Sequence, residues 1–282
     1  MKNIFIINRK HFFIFSLSLL FILLAILIIS IIYSQNISVS ANIEQNSYQI
    51  LYEKYIKRGK VLPDNKQSDL EKLYNGKEKI AYLTFDDGPT KRCTPKILDI
   101  LKQNNIKATF FVIGERVKQN PDIVKREFEE GHYIANHTYS HSNSKIYNGK
   151  ESFYYELLKT EKAISNAIGV KDYYSHLFRF PCGSTTNYST KKPYINFLKE
   201  FNYCYLDWNC LNNDAVCKHS NYELLNTLKK TSKNKETLIV LMHDSGDVNR
   251  TNEVLQDSID YLRNQGYSFG NMKEIIQKSN NK

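Results

Sequence analysis

Cysteine is scarce in this sequence, and its spacing excludes the metal sites that cysteine usually builds. Five cysteines occur in 282 residues, and their spacing matches no zinc ribbon. An odd number of cysteines cannot pair completely within one chain. A single disulfide among four of them stays open, because the sequence does not choose the pair: Cys182, Cys204, Cys210 and Cys217.

The sequence also lacks the motifs of a nucleic-acid reader, although its formal net charge is +10. No basic motif interleaved with aromatic residues is present. A basic surface suits nucleic acid, anionic lipid or an acidic polymer equally well, and a solvated basic surface is the simplest interpretation. No internal repeat is evident. The length is sufficient for one domain of about 200 residues.

Charge is absent from a long run near the N-terminus. Residues 12–32, FFIFSLSLLFILLAILIISII, contain no charged side chain, and a run of about 20 apolar residues crosses a bilayer as a helix. A cleavable signal peptide usually has a shorter apolar region of about 7–15 residues. A weak cleavage site occurs at residues 39–41, but the length of the run favours a retained anchor. Lys2, Arg9 and Lys10 precede the run and predict a cytoplasmic N-terminus.

These features divide the chain into four parts. We predict a cytoplasmic N-terminus at residues 1–11, a transmembrane signal anchor at 12–32, an extracytoplasmic stalk at 33–75 and a folded domain at 76–282. The stalk is polar and rich in Lys, Asn, Gln and Tyr, without a strong apolar stripe. We therefore expect a single-pass protein of the cell membrane whose folded domain is extracytoplasmic, or a secreted protein if the N-terminal segment is cleaved.

Beyond residue 76, apolar runs that suit buried strands alternate with helical stretches. The strand-like runs are 80–85, 108–113, 133–135, 177–180, 203–208 and 238–242. The helical stretches are 94–104, 121–130, 152–167, 192–201, 221–231 and 251–264. This alternation predicts a parallel α/β fold, either an open doubly wound sheet or a barrel. In both architectures, active sites collect at the carboxyl ends of the strands.

Polar residues follow directly after several of these strands. In TFDDGP, two adjacent carboxylates, Asp86 and Asp87, stand at a strand end. Their repulsion is relieved if a metal ion takes one of them and the other stays free as a base, although the same letters also suit an ordinary turn. In HTYSH, His137 and His141 are four residues apart and reach one ion if the segment turns helically. With one carboxylate they suit zinc, cobalt or iron(II).

Three further groups carry candidate residues. Arg179 in RFPCG is suited to hold a carboxylate in its ionised form. Trp208 is the only tryptophan, for which buried packing is the default role, and Asp214 follows it in DWNCLNND. His243 in LMHD follows a predicted strand and is suited to a general acid. Each group alone also has an ordinary structural interpretation.

Taken together, the order TFDDGP, HTYSH, RFPCG, W-x5-D and LMHD resembles the five motifs of the polysaccharide deacetylases that share the NodB homology domain, carbohydrate esterase family 4. The resemblance spans roughly residues 79–276. It implies a distorted (β/α) barrel and a hydrolase that removes N-acetyl groups with a divalent metal ion, zinc first, with cobalt or iron as alternatives. Peptidoglycan is the expected substrate. Poly-N-acetylglucosamine, chito-oligomers, acetylated xylan and a non-catalytic wall-binding role stay open.

The resemblance also implies a role for each motif residue. Asp86 would be the catalytic base oriented by Arg179, and His243 the general acid tuned by Asp214. The metal ligands would be Asp87, His137 and His141, and the oxyanion and substrate contacts Cys182, Pro181 and Trp208. Many family members carry an aromatic residue in place of Cys182, which leaves substrate preference open. The target sugar, glucosamine or muramic acid, and the oligomeric state are also open.

Overall fold

The computed structural model describes residues 20–38, 66–171, 173–215, 219–245 and 250–276, and the chain divides into two compact units, Met1–Gly59 and Lys60–Lys282. In the first unit, the described part is helix α1, Leu20–Ser38, which has 19 residues, a mean hydropathy of 2.3 and no buried side chains. Its length and composition suit a membrane span. Residues 12–19 of the predicted anchor lie outside the described residues.

The second unit is built on eight parallel strands: β1 Ile80–Asp86, β2 Thr109–Val112, β3 Tyr133–Asn136, β4 Leu177–Phe178, β5 Cys204–Tyr205, β6 Cys210–Leu211, β7 Thr237–His243 and β8 Ser268–Gly270. Their order is β5-β4-β3-β2-β1-β7-β6, and β8 pairs with the first residues of β1. Within the described residues, β5 and β6 do not pair with each other, so the curled sheet stays open. A curled sheet of parallel strands that does not close completely is a distorted barrel, so the structure confirms that prediction.

Ten helices surround or fill the curl in the described part of this unit: α2 Lys66–Leu73, α3 Thr94–Gln103, α4 Gly114–Gln119, α5 Pro121–Glu129, α6 Asn143–Ile146, α7 Lys150–Ile168, α8 Tyr188–Glu200, α9 Asn221–Ser232, α10 Arg250–Asn264 and α11 Met272–Ile276. Six of them agree with the predicted stretches to within a few residues. The sequence did not predict α2, α4, α6 and α11, nor the strands β6 and β8, because such short elements carry little periodicity.

The sheet separates two hydrophobic clusters. Because side chains alternate along a strand, Leu83 and Phe85 of β1 face an outer cluster beneath the helices. Tyr82 faces an inner cluster, which also contains Leu70 of α2 and Met272 of α11. Leu70 is fully buried, so α2, which falls within the predicted stalk, packs against the domain.

The state of the thiols bears on the disulfide that the sequence left open. Cys93, Cys182, Cys204 and Cys210 are all free, so the described residues contain no disulfide, and Cys217 lies outside them. Cys182 is exposed and the other three are buried. Burial raises the pKa of Cys93 and Cys204 to about 12 and that of Cys210 to about 11, so these thiols are protonated and poorly nucleophilic at neutral pH.

Candidate active site

The carboxylate of Asp86 is held at the end of β1 by Arg179. The guanidinium Nη1 donates to Asp86 Oδ1 over 2.8 Å and to the hydroxyl of Thr84 over 2.7 Å. Arg179 is fully buried, its Nε donates to Leu206 O over 2.9 Å, and its Cζ lies 4.0 Å from the centre of the Phe111 ring. A buried cation paired in this way holds the carboxylate in one orientation.

Asp87 and the two histidines of HTYSH converge beside Asp86. Asp87 Oδ1 lies 3.4 Å from His137 Nε2 and 3.2 Å from His141 Nε2, and one candidate ligand atom from each residue lies within 4.8 Å of the others. Burial raises the pKa of the Asp87 carboxyl, but the hydrogen bond from His137 and the charges of the histidines lower it below its usual range. Asp87 is therefore an ionised ligand candidate.

The segment between the two histidines is a loop, not the helical turn that the sequence spacing suggested. Thr138 and His141 have positive φ angles of 71° and 54°, which no helix accommodates. The hydroxyl of Thr138 accepts the His141 N–H over 3.1 Å. His137 Nδ1 lies 2.8 Å from Arg179 O, and because a carbonyl only accepts, Nδ1 carries the proton and Nε2 is left to face Asp87.

Helix α7 supports this loop from behind, through residues that the motifs did not indicate. The buried carboxylate of Glu156 accepts the N–H of Tyr139 over 2.9 Å and that of Ser140 over 2.7 Å, both at Oε2. Its Oε1 accepts the Ser140 hydroxyl over 2.8 Å. Asn136 Oδ1 accepts the Thr138 N–H over 3.0 Å. Only one feature of the sequence indicated Glu156: it is a charged residue on a predicted helix that must bury one of its faces.

His243 stands at the end of β7, opposite Asp86 in the register of β1 and β7. Its Nδ1 lies 2.7 Å from Asp214 Oδ1, and its backbone N–H donates to Asp214 Oδ2 over 2.7 Å. Burial lowers the pKa of His243, but the hydrogen bond and charge of Asp214, with the charges of Asp86 and Asp87, raise it to about 9. His243 is therefore protonated at neutral pH, which a proton donor requires.

Asp244, another buried carboxylate, fixes the turn that follows β1. Its Oδ2 accepts the hydroxyl of Thr94 over 2.7 Å, and its N–H donates to Asp86 O over 3.1 Å. A Cβ atom at Gly88 would lie 1.8 Å from Asp244 Oδ2, so only glycine fits beneath this carboxylate. The motif LMHD included Asp244, but only the structure connects it to the turn that presents Asp87.

Cys182, Pro181 and Trp208 lie on the Arg179 side of the site. Cys182 has a φ of 61° and is exposed, in a turn closed by the Gly183 N–H to Phe180 O over 2.8 Å. The Trp208 ring centre lies 5.7 Å from Arg179 Cζ. These residues are therefore connected to the carboxylates and histidines through the arginine that binds Asp86.

The donor set fits a divalent metal ion. One carboxylate oxygen and two imidazole nitrogens are ligands that zinc, cobalt(II) and iron(II) accept, and three protein ligands leave positions for water and substrate. Burial lowers the pKa of His141, which favours the neutral imidazole that a metal requires. Asp86 and His243 lie beside this set and are suited to accept and to donate a proton.

Comparison with known proteins adds an independent observation. The model of the polysaccharide deacetylase family matches residues 74–202. The peptidoglycan-N-acetylglucosamine deacetylase PgdA of Listeria monocytogenes is 35% identical over 197 residues, which are 68% of this chain and 38% of that protein. This chain thus spans little more than a third of that relative's length.

Two further proteins match over most of their own length. The peptidoglycan-N-acetylmuramic acid deacetylase PdaA of Bacillus subtilis is 32% identical over 207 residues, 72% of this chain and 74% of that protein. A CE4 esterase structure from Streptococcus mutans superposes with a TM-score of 0.66 at 27% identity, covering 73% of this chain and 90% of the other.

Proposed function

Because this chain belongs to the polysaccharide deacetylase family, carbohydrate esterase family 4, we propose that it is a metal-dependent enzyme that hydrolyses the N-acetyl groups of amino sugars in peptidoglycan. In this proposal the chain is anchored in a membrane and its folded domain lies on the extracytoplasmic side. The family supports deacetylation of a cell-wall polysaccharide. The names of the relatives, which cite N-acetylglucosamine and N-acetylmuramic acid in peptidoglycan, support the choice of polymer.

One observation carries the proposal: the ion pair of Arg179 with Asp86 lies directly beside the Asp-His-His group. His137 Nε2 is 3.8 Å from Asp86 Oδ2, and the other oxygen of Asp86 binds Arg179 over 2.8 Å. This arrangement supplies an oriented carboxylate, suited to act as a base, next to a candidate metal site. A module that only binds the wall would need neither the base nor a protonated histidine opposite it.

The proposed reaction assigns each proton to a residue. An ion held by Asp87, His137 and His141 would polarise the acetamide carbonyl and lower the pKa of a water molecule. Asp86 accepts a proton from the water molecule while the water oxygen attacks the carbonyl carbon. The backbone N–H of Cys182 donates to the developing oxyanion. His243 then protonates the nitrogen as the C–N bond breaks, which yields acetate and a free amine.

The proposed location follows from the N-terminus. Helix α1 is long and apolar enough to cross a bilayer, and Lys2, Arg9 and Lys10 precede it. Positive residues before a first span hold the N-terminus in the cytoplasm, so the domain is delivered to the side where peptidoglycan lies. A cleaved segment would instead release the domain.

The test is acetate release by the full chain in detergent, with intact peptidoglycan and chito-oligomers as substrates. Zinc or cobalt is added in one series and a chelator in another, and Asp86→Asn is the control that keeps side-chain volume and the metal ligands. We expect metal-dependent release from peptidoglycan that the control lacks, and mass spectrometry of the digested product identifies the sugar. Bound metal without release from peptidoglycan would refute this substrate and favour another acetylated polymer or a binding role.

A further inference from the structure

Helix α4, Gly114–Gln119, contacts both segments that carry the proposed metal ligands. One segment is the turn at residues 87–89, called here the Asp87 turn, and the other is the histidine loop, residues 137–141. The helix begins soon after β2 ends, and none of its residues belongs to a motif that the sequence singled out. A part of the chain with no role so far therefore touches both halves of the candidate site.

The first turn of α4 holds the histidine loop through its backbone. The Gly114 N–H donates to Thr138 O over 3.0 Å, and the Glu115 N–H donates to Tyr139 O over 2.9 Å. The first N–H groups of a helix have no partner within the helix, so the loop satisfies two of them. A Cβ atom at Gly114 would lie 2.4 Å from Tyr139 Cδ2, so only a glycine allows the helix to approach the loop this closely.

The same segment holds the Asp87 turn from the other side. Three consecutive carbonyls of the turn accept hydrogen bonds from residues 113–120: Asp87 O from Arg116 Nη1, Gly88 O from the Ile113 N–H over 2.9 Å, and Pro89 O from Asn120 Nδ2 over 3.2 Å. One short helix with its flanking residues therefore fixes the Asp87 turn relative to the histidine loop.

Arg116 makes the contact that acts on the ligand residue itself. Asp87 has a φ of 74°, in the left-handed region that a residue with a Cβ atom rarely adopts. Its N–H donates to Phe111 O over 3.2 Å and its carbonyl accepts from Arg116, so the peptide groups on both sides of Asp87 are held. Because rotation of this backbone would redirect the Asp87 side chain, the direction of the carboxylate depends on the contact with Arg116.

We propose that α4 holds the two ligand-bearing segments at one separation, and that Arg116 is the residue through which it directs the Asp87 carboxylate toward the metal. The inference rests on the proposed metal-dependent function. A guanidinium has no acceptor atom to offer a cation, so Arg116 is a positioning residue. Its replacement weakens metal binding although all three ligands remain.

The experiment titrates the metal-free full chain, in detergent, with zinc and with cobalt(II), whose visible absorption reports the coordination geometry. Arg116→Met removes the donor and keeps most of the aliphatic chain, Arg116→Gln is a second variant that is too short to reach Asp87 O, and Arg116→Lys restores one donor. Arg126→Met is the matched control, because Arg126 of α5 is also half-buried and also donates to a carbonyl, Pro95 O, over 3.3 Å. The other partners of Arg126 also lie outside both ligand-bearing segments. Denaturant unfolding of the metal-free protein establishes that each variant folds.

We expect zinc binding to weaken by about tenfold in Arg116→Met and Arg116→Gln, with a changed cobalt absorption band, and an intermediate affinity in Arg116→Lys. Arg126→Met should keep the zinc affinity of the parent chain even where its stability is lower. In an Asp87→Asn background, Arg116→Met should have no further effect on cobalt affinity, because Arg116 acts through Asp87.

Parental zinc affinity and an unchanged cobalt band in a folded Arg116→Met or Arg116→Gln variant would overturn the positioning role. An undiminished effect of Arg116→Met in the Asp87→Asn background would overturn it as well, since the effect would then not pass through Asp87. These outcomes leave the proposed function intact, whereas a parent chain that binds neither metal would refute the metal-dependent function together with this inference.

Discussion

Replacement of Glu156 tests whether helix α7 shapes the loop that carries the proposed metal ligands. The carboxylate accepts three hydrogen bonds from Tyr139 and Ser140 and touches none of the proposed ligands. In Glu156→Gln, one oxygen still accepts both N–H groups and the new amide donates to the Ser140 hydroxyl, so the shape of the contact survives while its charge is lost. Hydrogen bonds to a charged group contribute about 1.5–3 kcal/mol and neutral ones about 0.5–1.5.

The expected cost of Glu156→Gln is therefore about 2 kcal/mol in the free energy of unfolding, from two N–H bonds that each weaken by about 1 kcal/mol. Glu156→Ala removes the acceptor altogether, and we expect about 3–5 kcal/mol because buried N–H groups lose their partner at about 1–3 kcal/mol each. Residues that orient metal ligands change metal affinity by about 10–100-fold when they are replaced. We expect zinc binding to weaken by that factor in both variants.

The assay combines zinc titration of the apo protein with denaturant unfolding. Glu151→Gln is the control, because Glu151 lies on the same helix and is exposed. A purely structural role would lower stability in the apo protein without a change in the zinc dissociation constant. Wild-type zinc affinity in a folded Glu156→Gln variant would refute the reasoning that this carboxylate positions the ligand loop.

Three other replacements test neighbouring parts of the site. The rate should fall above about pH 9 as His243 loses its proton. Asp214→Asn should move this alkaline limb of the pH profile down by about 1–3 pH units, because an anion that favours the imidazolium is removed. A pH profile of kcat/KM in which the limb does not move would exclude His243 as the acid. Arg179→Met should lower kcat and cost about 3–5 kcal/mol in the free energy of unfolding, since it leaves a buried charge unpaired; a stable variant with normal kcat would contradict the ion pair's role. Leu70→Ala should cost about 2–5 kcal/mol in denaturant unfolding, whereas a helix that is merely part of a stalk would show no effect.

The fold was predictable to a useful degree because parallel strands of this kind are buried on both faces and therefore stand out as continuous apolar runs. Strands such as β1 and β7 were predicted to within about one residue of their observed bounds. The short strands β6 and β8 and the helix α2 were not predicted, because two or three residues carry no periodic pattern and α2 is mostly polar in sequence. Leu70 is its fully buried apolar residue, and no local pattern indicates that role.

The candidate site was predictable in its members but not in its geometry. Motif spacing suggested that His137 and His141 share a helical face, and the structure instead uses positive φ angles at Thr138 and His141. The residues that impose this loop, Glu156 and Asn136, belong to no motif that the sequence singled out. Their function depends on hydrogen bonds that form only when α7 packs against β3.

The sequence by itself determined the strand–helix alternation, the apolar N-terminal run and the identity of the polar residues at strand ends. The polar residues at the strand ends sufficed to predict a candidate site, because the carboxyl ends of parallel strands lie at the same edge of the sheet. Only the tertiary structure decided which groups support that site. Tyr74 and Asp207 are 133 residues apart in the chain and share a hydrogen bond, and Gln67 and Tyr205 are separated by 138 residues and do the same. Contacts over such distances depend on how the sheet curls and where α2 packs, which no local pattern encodes.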